Sequence, residues 1–349
     1  MKLARRRFLP LAAAVLAAPA VARLARGQTA QVTLKLQHFL PSVSNGHAKF
    51  LVPWAKKVEA DSGGRIKIDM FPSMQLGGAP AQLYDQARDG VADIVWAVPG
   101  NSPGRFPLVE TFELPFVASP HAVPNSKALQ EFAESHLKDE FREVHPICFW
   151  AHDQGVLHAS RQIRTMEDLK GLKIRSATRL AGEALKAFGA NTIVMPVPLV
   201  RQALAQKVID GCTLPWEVVP ALRILDLVKF HSEIAGSPTF YTTTFVLAMN
   251  KAAYESLPAD LKTVIDDNSG QVAATMAGKM WDDQAVVVEE LVRKRGNTIV
   301  TVAAEEAARW RKAVEPVIAN WLKQMQDRGN DGGKLLDMAK SLIAKYEKA

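Results

Sequence analysis

The sequence predicts an α/β fold built from two similar units, and three observations carry that reading. Short alternating or apolar runs are separated by helical patterns, the order expected of a largely parallel sheet with helices on its faces. The same order begins again past residue 144. The chain also has 349 residues, 48% hydrophobic and 23% charged, which is globular composition and too much chain for one small core.

The elements follow in order. Residues 32–38 (V-T-L-K-L-Q-H) alternate apolar and polar, as a half-buried strand does. Residues 48–60 read as a helix with Phe50, Trp54 and Val58 on one face, and Ser62-Gly63-Gly64 as a turn. A second strand covers 65–71, a helix 81–89 closed by Gly90, and a third strand 94–98. In the later unit the strands are 144–151, 172–176, 192–195 and 208–213, with helices at 180–188 and 199–206. Residues 258–294 then read as one long helix. Pro258 suits its first turn, Arg293, Lys294 and Arg295 suit its negative end, and Gly296 stops it. At ~1.5 Å per residue it would extend roughly 55 Å, long enough to bridge two domains. Residues 303–327 and 333–348 add amphipathic helices.

Charge is uneven. The formal balance is +7, with 43 Lys and Arg against 36 Asp and Glu. Six of the basic residues, Lys2, Arg5, Arg6, Arg7, Arg23 and Arg26, lie in the first 27, which hold no acid. The remainder is nearly neutral and offers no field to concentrate nucleic acid. Arg5-Arg6-Arg7, the apolar stretch 8–21 and the small-residue patterns Ala20-Val21-Ala22 and Ala25-Arg26-Gly27 have the layout of a signal peptide. Arg5-Arg6-x-Phe8-Leu9 resembles a twin-arginine signal, and the general secretory route stays open beside it. The expected protein is exported to a bacterial periplasm. That compartment permits a disulfide, but two cysteines alone predict little, and the favoured reading of Cys148 and Cys212 is two buried thiols in strands.

Motifs for chemistry are sparse. Gly100-Asn101-Ser102-Pro103-Gly104 matches G-x-S-x-G, but a nucleophile elbow needs a helix directly after the serine, and Pro103, Gly104 and Pro107 crowd that place. No glycine-rich dinucleotide fingerprint, P-loop, CxxC or HExxH occurs, so no cofactor or metal is expected. Binding features stand out instead. Gly171-Leu172-Lys173-Ile174-Arg175 puts an arginine at the C-terminal end of a strand, where open α/β sheets bind ligands and a guanidinium can pair bidentately with carboxylate. From the pattern alone, a surface arginine in a salt bridge is the commoner case. Trp216, after Pro215, and Trp96, in the third strand, each suit a pocket wall or a core.

Several segments, in order, resemble the DctP-type substrate-binding proteins of TRAP transporters. They are Gly64-Arg65-Ile66-Lys67-Ile68, Phe71-Pro72-Ser73-Met74-Gln75-Leu76-Gly77, Gly90-Val91-Ala92-Asp93 and Leu114-Pro115-Phe116. Gly171 to Arg175, Phe188-Gly189-Ala190, Leu204 through Val208-Ile209-Asp210-Gly211, and Asn250, Tyr254 and Leu257-Pro258 continue the series. The resemblance implies a two-domain α/β clamp of the periplasmic-binding-protein kind, with a ligand cleft between the domains and a long hinge-spanning helix. The boundaries it suggests are a signal peptide at 1–27, domain I at 28–152 plus 241–280, and domain II at 153–240 plus 281–349.

The resemblance also implies a site. The family's carboxylate-binding arginine falls on Arg175. The cleft is lined from the first strand's end (His38, Phe39), from the third strand (Trp96), near Gln154, and after Asp210-Gly211 (Trp216, Glu217); Asn101, Tyr241 and His152 are weaker carry-overs. Sialic-acid binders of the family carry an Asn and a second arginine where this chain has Trp216-Glu217 and Gln154-Gly155, which argues against that ligand. Some keto-acid binders hold a bridging cation with Gln, Trp and an acid, and Gln154, Trp216 and Glu217 resemble that set. The implied function is a periplasmic receptor that captures a mono- or dicarboxylate, with an aromatic or a 2-oxo or 2-hydroxy acid among the candidates, and presents it to the membrane subunits of a transporter. A clamp serving a chemosensory receptor and a periplasmic enzyme are the alternatives. The aromatic residues around the expected cleft point to an apolar or aromatic part in the ligand.

Overall fold

The computed structural model describes residues 30–234 and 236–348; the signal-peptide reading falls on residues 1–27, outside the described residues. Eleven strands form two sheets among the described residues: β1 (Val32–Gln37), β2 (Ile66–Phe71), β3 (Ile94–Ala97), β4 (Val144–Ala151), β5 (Val156–Ala159), β6 (Lys173–Ser176), β7 (Asn191–Val194), β8 (Gly211–Leu214), β9 (Phe230–Ile234), β10 (Thr244–Asn250) and β11 (Thr298–Val302). The first sheet has the order β2-β1-β3-β10-β4 and the second β11-β9-β5-β8-β6-β7. A two-domain clamp follows from this division.

The sheets are mixed rather than largely parallel. β1 runs parallel to β2 and β3, but β10 inserts antiparallel between β3 and β4. β5 likewise lies antiparallel between β8 and β9. All seven residues of β10 are buried, so it shows no alternation, and a short uninterrupted apolar run does not announce a central strand by periodicity.

The chain passes between the sheets three times. Residues 152–155 lead from β4 to β5, and 236–243 lead back to β10. The third passage is helical. The pattern over 258–294 predicts one helix, but the structure divides it into Ala259–Asp267 and Gly270–Lys294. The break has a local cause. Asn268 turns its side-chain amide back to Val264 O and across to Asp61, and Gly270 adopts φ +58°, a conformation open to glycine. The remaining helix of 25 residues spans about 37 Å, shorter than expected.

That helix is pinned to Ala122–His136, a helix the sequence pattern does not reveal. Asp282 accepts from the backbone N–H groups of Ala122 (2.6 Å) and Val123 (3.0 Å), satisfying the helix start. The helices approach so closely that a Cβ on Gly278 would lie 2.8 Å from Val123 Cα. The stretch 303–327 is likewise two helices, Ala304–Ala313 and Glu315–Asp327. Within the segment 281–349 assigned above to domain II, β11 does join the second sheet. The helix Gly332–Glu347 instead packs on Ala122–His136, beside the first sheet. Cys148 in β4 and Cys212 in β8 are buried free thiols in different sheets.

Candidate functional site

Arg175 ends up almost fully buried, 2% exposed, although it sits one residue from the end of β6. The neighbouring strands hold it. Its Nε donates to Met195 O at 2.9 Å, just past β7, and its Nη1 donates to Thr213 O at 2.8 Å, in β8. Among the described residues no carboxylate lies within salt-bridge distance of the guanidinium. Burial lowers its pKa from the ordinary value, yet an arginine retains its charge under such conditions. A buried cation without a counter-ion is costly, and an anion entering beside it would remove that cost.

Arg175 lines a cavity between the sheets. Tyr241 and four further aromatic residues wall it. Phe39 follows β1, Trp96 is in β3, Phe245 is in β10 and Trp281 is on the helix Gly270–Lys294. Ring centroids lie 4.9 Å apart for Phe39–Trp96, 5.7 Å for Trp96–Phe245 and 5.5 Å for Phe245–Trp281. Asn101, His152, Glu217 and Tyr241 also face this space. Arg175 is the only Lys or Arg among the lining residues.

Glu217 is buried, and its Oε1 accepts from Gly46 N–H at 2.8 Å; burial raises its pKa to about 7. His152 and Tyr241 lie on the two non-helical passages between the sheets. Their rings meet edge to face at 5.3 Å. His152 Nε2, Tyr241 Oη, Trp96 Nε1 and Trp281 Nε1 are buried and find no hydrogen-bond partner among the described residues.

Seven of the ten residues expected at the site therefore line one cavity: Phe39, Trp96, Asn101, His152, Arg175, Glu217 and Tyr241. His38, Gln154 and Trp216 do not. His38 accepts from Leu40 N–H on Nδ1, so its Nε2 carries the proton and donates to His47 at 2.9 Å. Trp216 is fully buried, and its indole donates to Glu233 at 2.7 Å. Gln154 donates to the same oxygen at 3.2 Å. The expected cation set of Gln154, Trp216 and Glu217 is thus split. Trp216 and Glu217 share one tight turn that sends consecutive side chains apart, one to Glu233 and the other to Gly46. Among the described residues no group of three or more His, Cys, Asp or Glu is placed to hold a metal ion.

Sequence reasoning misses Thr213, Phe245 and Trp281. Phe245 belongs to the apolar strand that shows no alternation. Trp281 lies within the helical pattern, where a tryptophan reads as core.

Comparison with known proteins agrees with this architecture. The family model described as "Bacterial extracellular solute-binding protein, family 7" (DctP) matches residues 36–324. A TRAP solute-binding protein from Rhodoferax ferrireducens T118, solved with copurified benzoate, is 43% identical. The match covers 90% of this chain and 98% of that one, with a TM-score of 0.88. A marine metagenome TRAP solute-binding protein specific for aromatic acids, solved with 3-hydroxybenzoate, is 42% identical over 91% of this chain and 99% of its own, with a TM-score of 0.89. The 2,3-diketo-L-gulonate-binding periplasmic protein YiaO of Escherichia coli K12 is 25% identical, over 75% of this chain and 77% of its own length. With the family model matching most of its length and two sheets in a clamp with a cavity between them, the chain belongs to the DctP family of extracellular solute-binding proteins and is a TRAP-type solute receptor.

Proposed function

We propose that this receptor captures an aromatic monocarboxylate in the periplasm and delivers it, chemically unchanged, to the membrane subunits of a TRAP transporter. The observation that carries the reading is Arg175, a buried guanidinium with no counter-ion among the described residues, at a cavity walled by Phe39, Trp96, Phe245 and Trp281. One cation matches one carboxylate. A second carboxylate would find no further Lys or Arg on the lining and would have the acid Glu217 for company. The aromatic walls match a planar ring by offset and edge-on contacts, each worth about 0.5–1.5 kcal/mol beyond area burial. Two relatives above 40% identity, solved with benzoate and 3-hydroxybenzoate, support the class. Because the cavity walls come from both sheets, a ligand touches all of them in the closed form alone and so favours that form.

Isothermal titration of the mature protein with benzoate and, in parallel, succinate tests the reading. Benzoate is expected to bind, succinate to bind at least tenfold more weakly, and recovered benzoate to be unaltered by mass analysis. Tight succinate binding with no benzoate binding overturns it.

A further inference from the structure

His152 lines the cavity with one ring nitrogen committed and the other free. Its Nδ1 lies 2.7 Å from the backbone carbonyl of Asp153. A carbonyl oxygen only accepts, so Nδ1 carries the proton. The ring is held in place, because His152 O accepts from Thr242 Oγ1 (2.7 Å) and Asn125 Nδ2 (3.0 Å), and Tyr241 and Phe245 flank the imidazole. His152 is 1% exposed, and burial lowers its pKa to about 3, so the imidazole is neutral. In a neutral imidazole protonated at Nδ1, Nε2 presents a lone pair. That Nε2 has no hydrogen-bond partner among the described residues.

An unmatched lone pair on a ring that lines the cavity is not satisfied by a second carboxylate or a carbonyl, which offer acceptors only. It requires a donor such as a hydroxyl. Resting on the aromatic-acid reading above, we infer that His152 is a specificity-determining residue whose Nε2 accepts a hydrogen bond from a hydroxyl of the ligand, so that the preferred ligand is a hydroxylated aromatic monocarboxylate rather than the unsubstituted acid.

Wild type, His152→Leu and His152→Gln are titrated calorimetrically with benzoate, with 2-, 3- and 4-hydroxybenzoate, and with the three matching methoxybenzoates. Wild type is expected to bind one hydroxy isomer about tenfold or more tighter than benzoate, the gain of one satisfied buried acceptor. The methoxy analogue of that isomer, which has no proton to donate, is expected to lose the gain. In His152→Leu the hydroxy-to-benzoate affinity ratio is expected to fall to near one, whatever the variant's benzoate affinity. His152→Gln, which offers an amide oxygen, keeps part of the ratio. Circular dichroism and a thermal melt report that each variant has folded. If wild type binds benzoate but shows no hydroxyl gain, or if His152→Leu retains the gain, the role of His152 is overturned and the aromatic-acid reading stands. If wild type binds neither benzoate nor any hydroxybenzoate, both fall.

Discussion

The backbone N–H of Gly46 donates to Glu217 Oε1 at 2.8 Å, and this bond joins the two halves of the clamp. Gly46 lies between β1 and β2 of the first sheet, Glu217 between β8 and β9 of the second. Asn45 reinforces the tie by donating its side-chain amide to Glu217 O at 3.0 Å. A second tie pairs Arg179, just after β6, with Glu110 at 2.6 Å. Because Glu217 also lines the cavity, the carboxyl that meets the ligand space is the one that holds the domains together.

This gives closure a dependence on pH. Burial in the closed clamp raises the Glu217 pKa to about 7, from an ordinary value of 4.5. An acid with a raised pKa favours the form that buries it while it can remain protonated. The advantage is full below the ordinary value, declines as pH rises towards 7, and is flat above. An aromatic acid whose binding closes the clamp should therefore bind more tightly at pH 5.5 than at pH 8. Glu217→Gln keeps an oxygen for Gly46 but does not titrate, so its affinity should vary less over that range. Calorimetry at the two pH values measures both, and an equal pH response in wild type and variant would sink the assignment.

Gly46 itself sets a steric condition on the cavity wall of the first domain. A Cβ there would lie 2.7 Å from Trp96 Cη2 and 2.9 Å from Cζ3. Trp96 cannot easily yield, since Phe39, Phe245 and Trp281 pack around it. Gly46→Ala should therefore press on Trp96 within the first domain at a cost of about 1–3 kcal/mol, the usual range for overpacking. Both residues belong to the first domain, so the strain is present whether the clamp is open or closed and should appear as a lower Tm of the ligand-free protein. Thermal melts of wild type and variant measure it, and an identical Tm would show that the contact relaxes without consequence.

Arg175→Ala separates binding from folding. Without the guanidinium a ligand carboxylate would be buried unpaired, and truncating one partner of such a pair costs about 2–5 kcal/mol, roughly 30-fold to several thousand-fold in Kd. The ligand-free protein should lose little. The substitution removes a buried charge that has no carboxylate partner among the described residues, and this offsets the loss of its bonds to Met195 O and Thr213 O. Paired measurements of Tm and of benzoate Kd check this. Unchanged benzoate affinity in Arg175→Ala contradicts the carboxylate role.

Arg175 was legible through the family resemblance: the pattern puts it at the end of a strand, where such sheets bind ligands, but alone favours a surface arginine in a salt bridge. Trp96, open between pocket wall and core, was legible in the same way. The pairing of Gln154 and Trp216 with Glu233 was not, because it depends on β9 lying beside β5, a contact between strands that neither alternation nor turn chemistry announces. The break at Asn268 was written in the residues Asn-Ser-Gly. The apolar periodicity on either side masked it, since both helices bury the same kind of face. His152 and Tyr241 sit on passages between sheets, where no local periodicity exists to place a side chain, and only the folded register of β4, β5 and β10 brings them together.

Behind the cavity, three side chains fix one another's proton positions. His158 Nε2 lies 3.1 Å from Leu214 O and therefore carries a proton, which leaves its Nδ1 as an acceptor. His231 Nδ1, 2.7 Å away, must then be the donor, and His231 Nε2 accepts from Asn297 Nδ2 at 3.1 Å. Both rings are neutral in this chain. Burial, with Lys229 nearby, lowers His231 to about 4, and burial, with His231 nearby, lowers His158 well below its ordinary value. The chain ends on β8, whose Thr213 O holds Arg175. His231→Leu strands the His158 Nδ1 lone pair and the Asn297 amide, so it should destabilise the fold by about 1–3 kcal/mol at pH 7.5. A histidine with a lowered pKa contributes stability that is present above about 6.5 and is lost as pH falls through its folded value. The deficit of His231→Leu relative to wild type should accordingly shrink between pH 6.5 and 4. Urea unfolding of the pair at pH 7.5 and pH 5 measures it, and a deficit that stays constant would mean that the neutral chain does not hold β8.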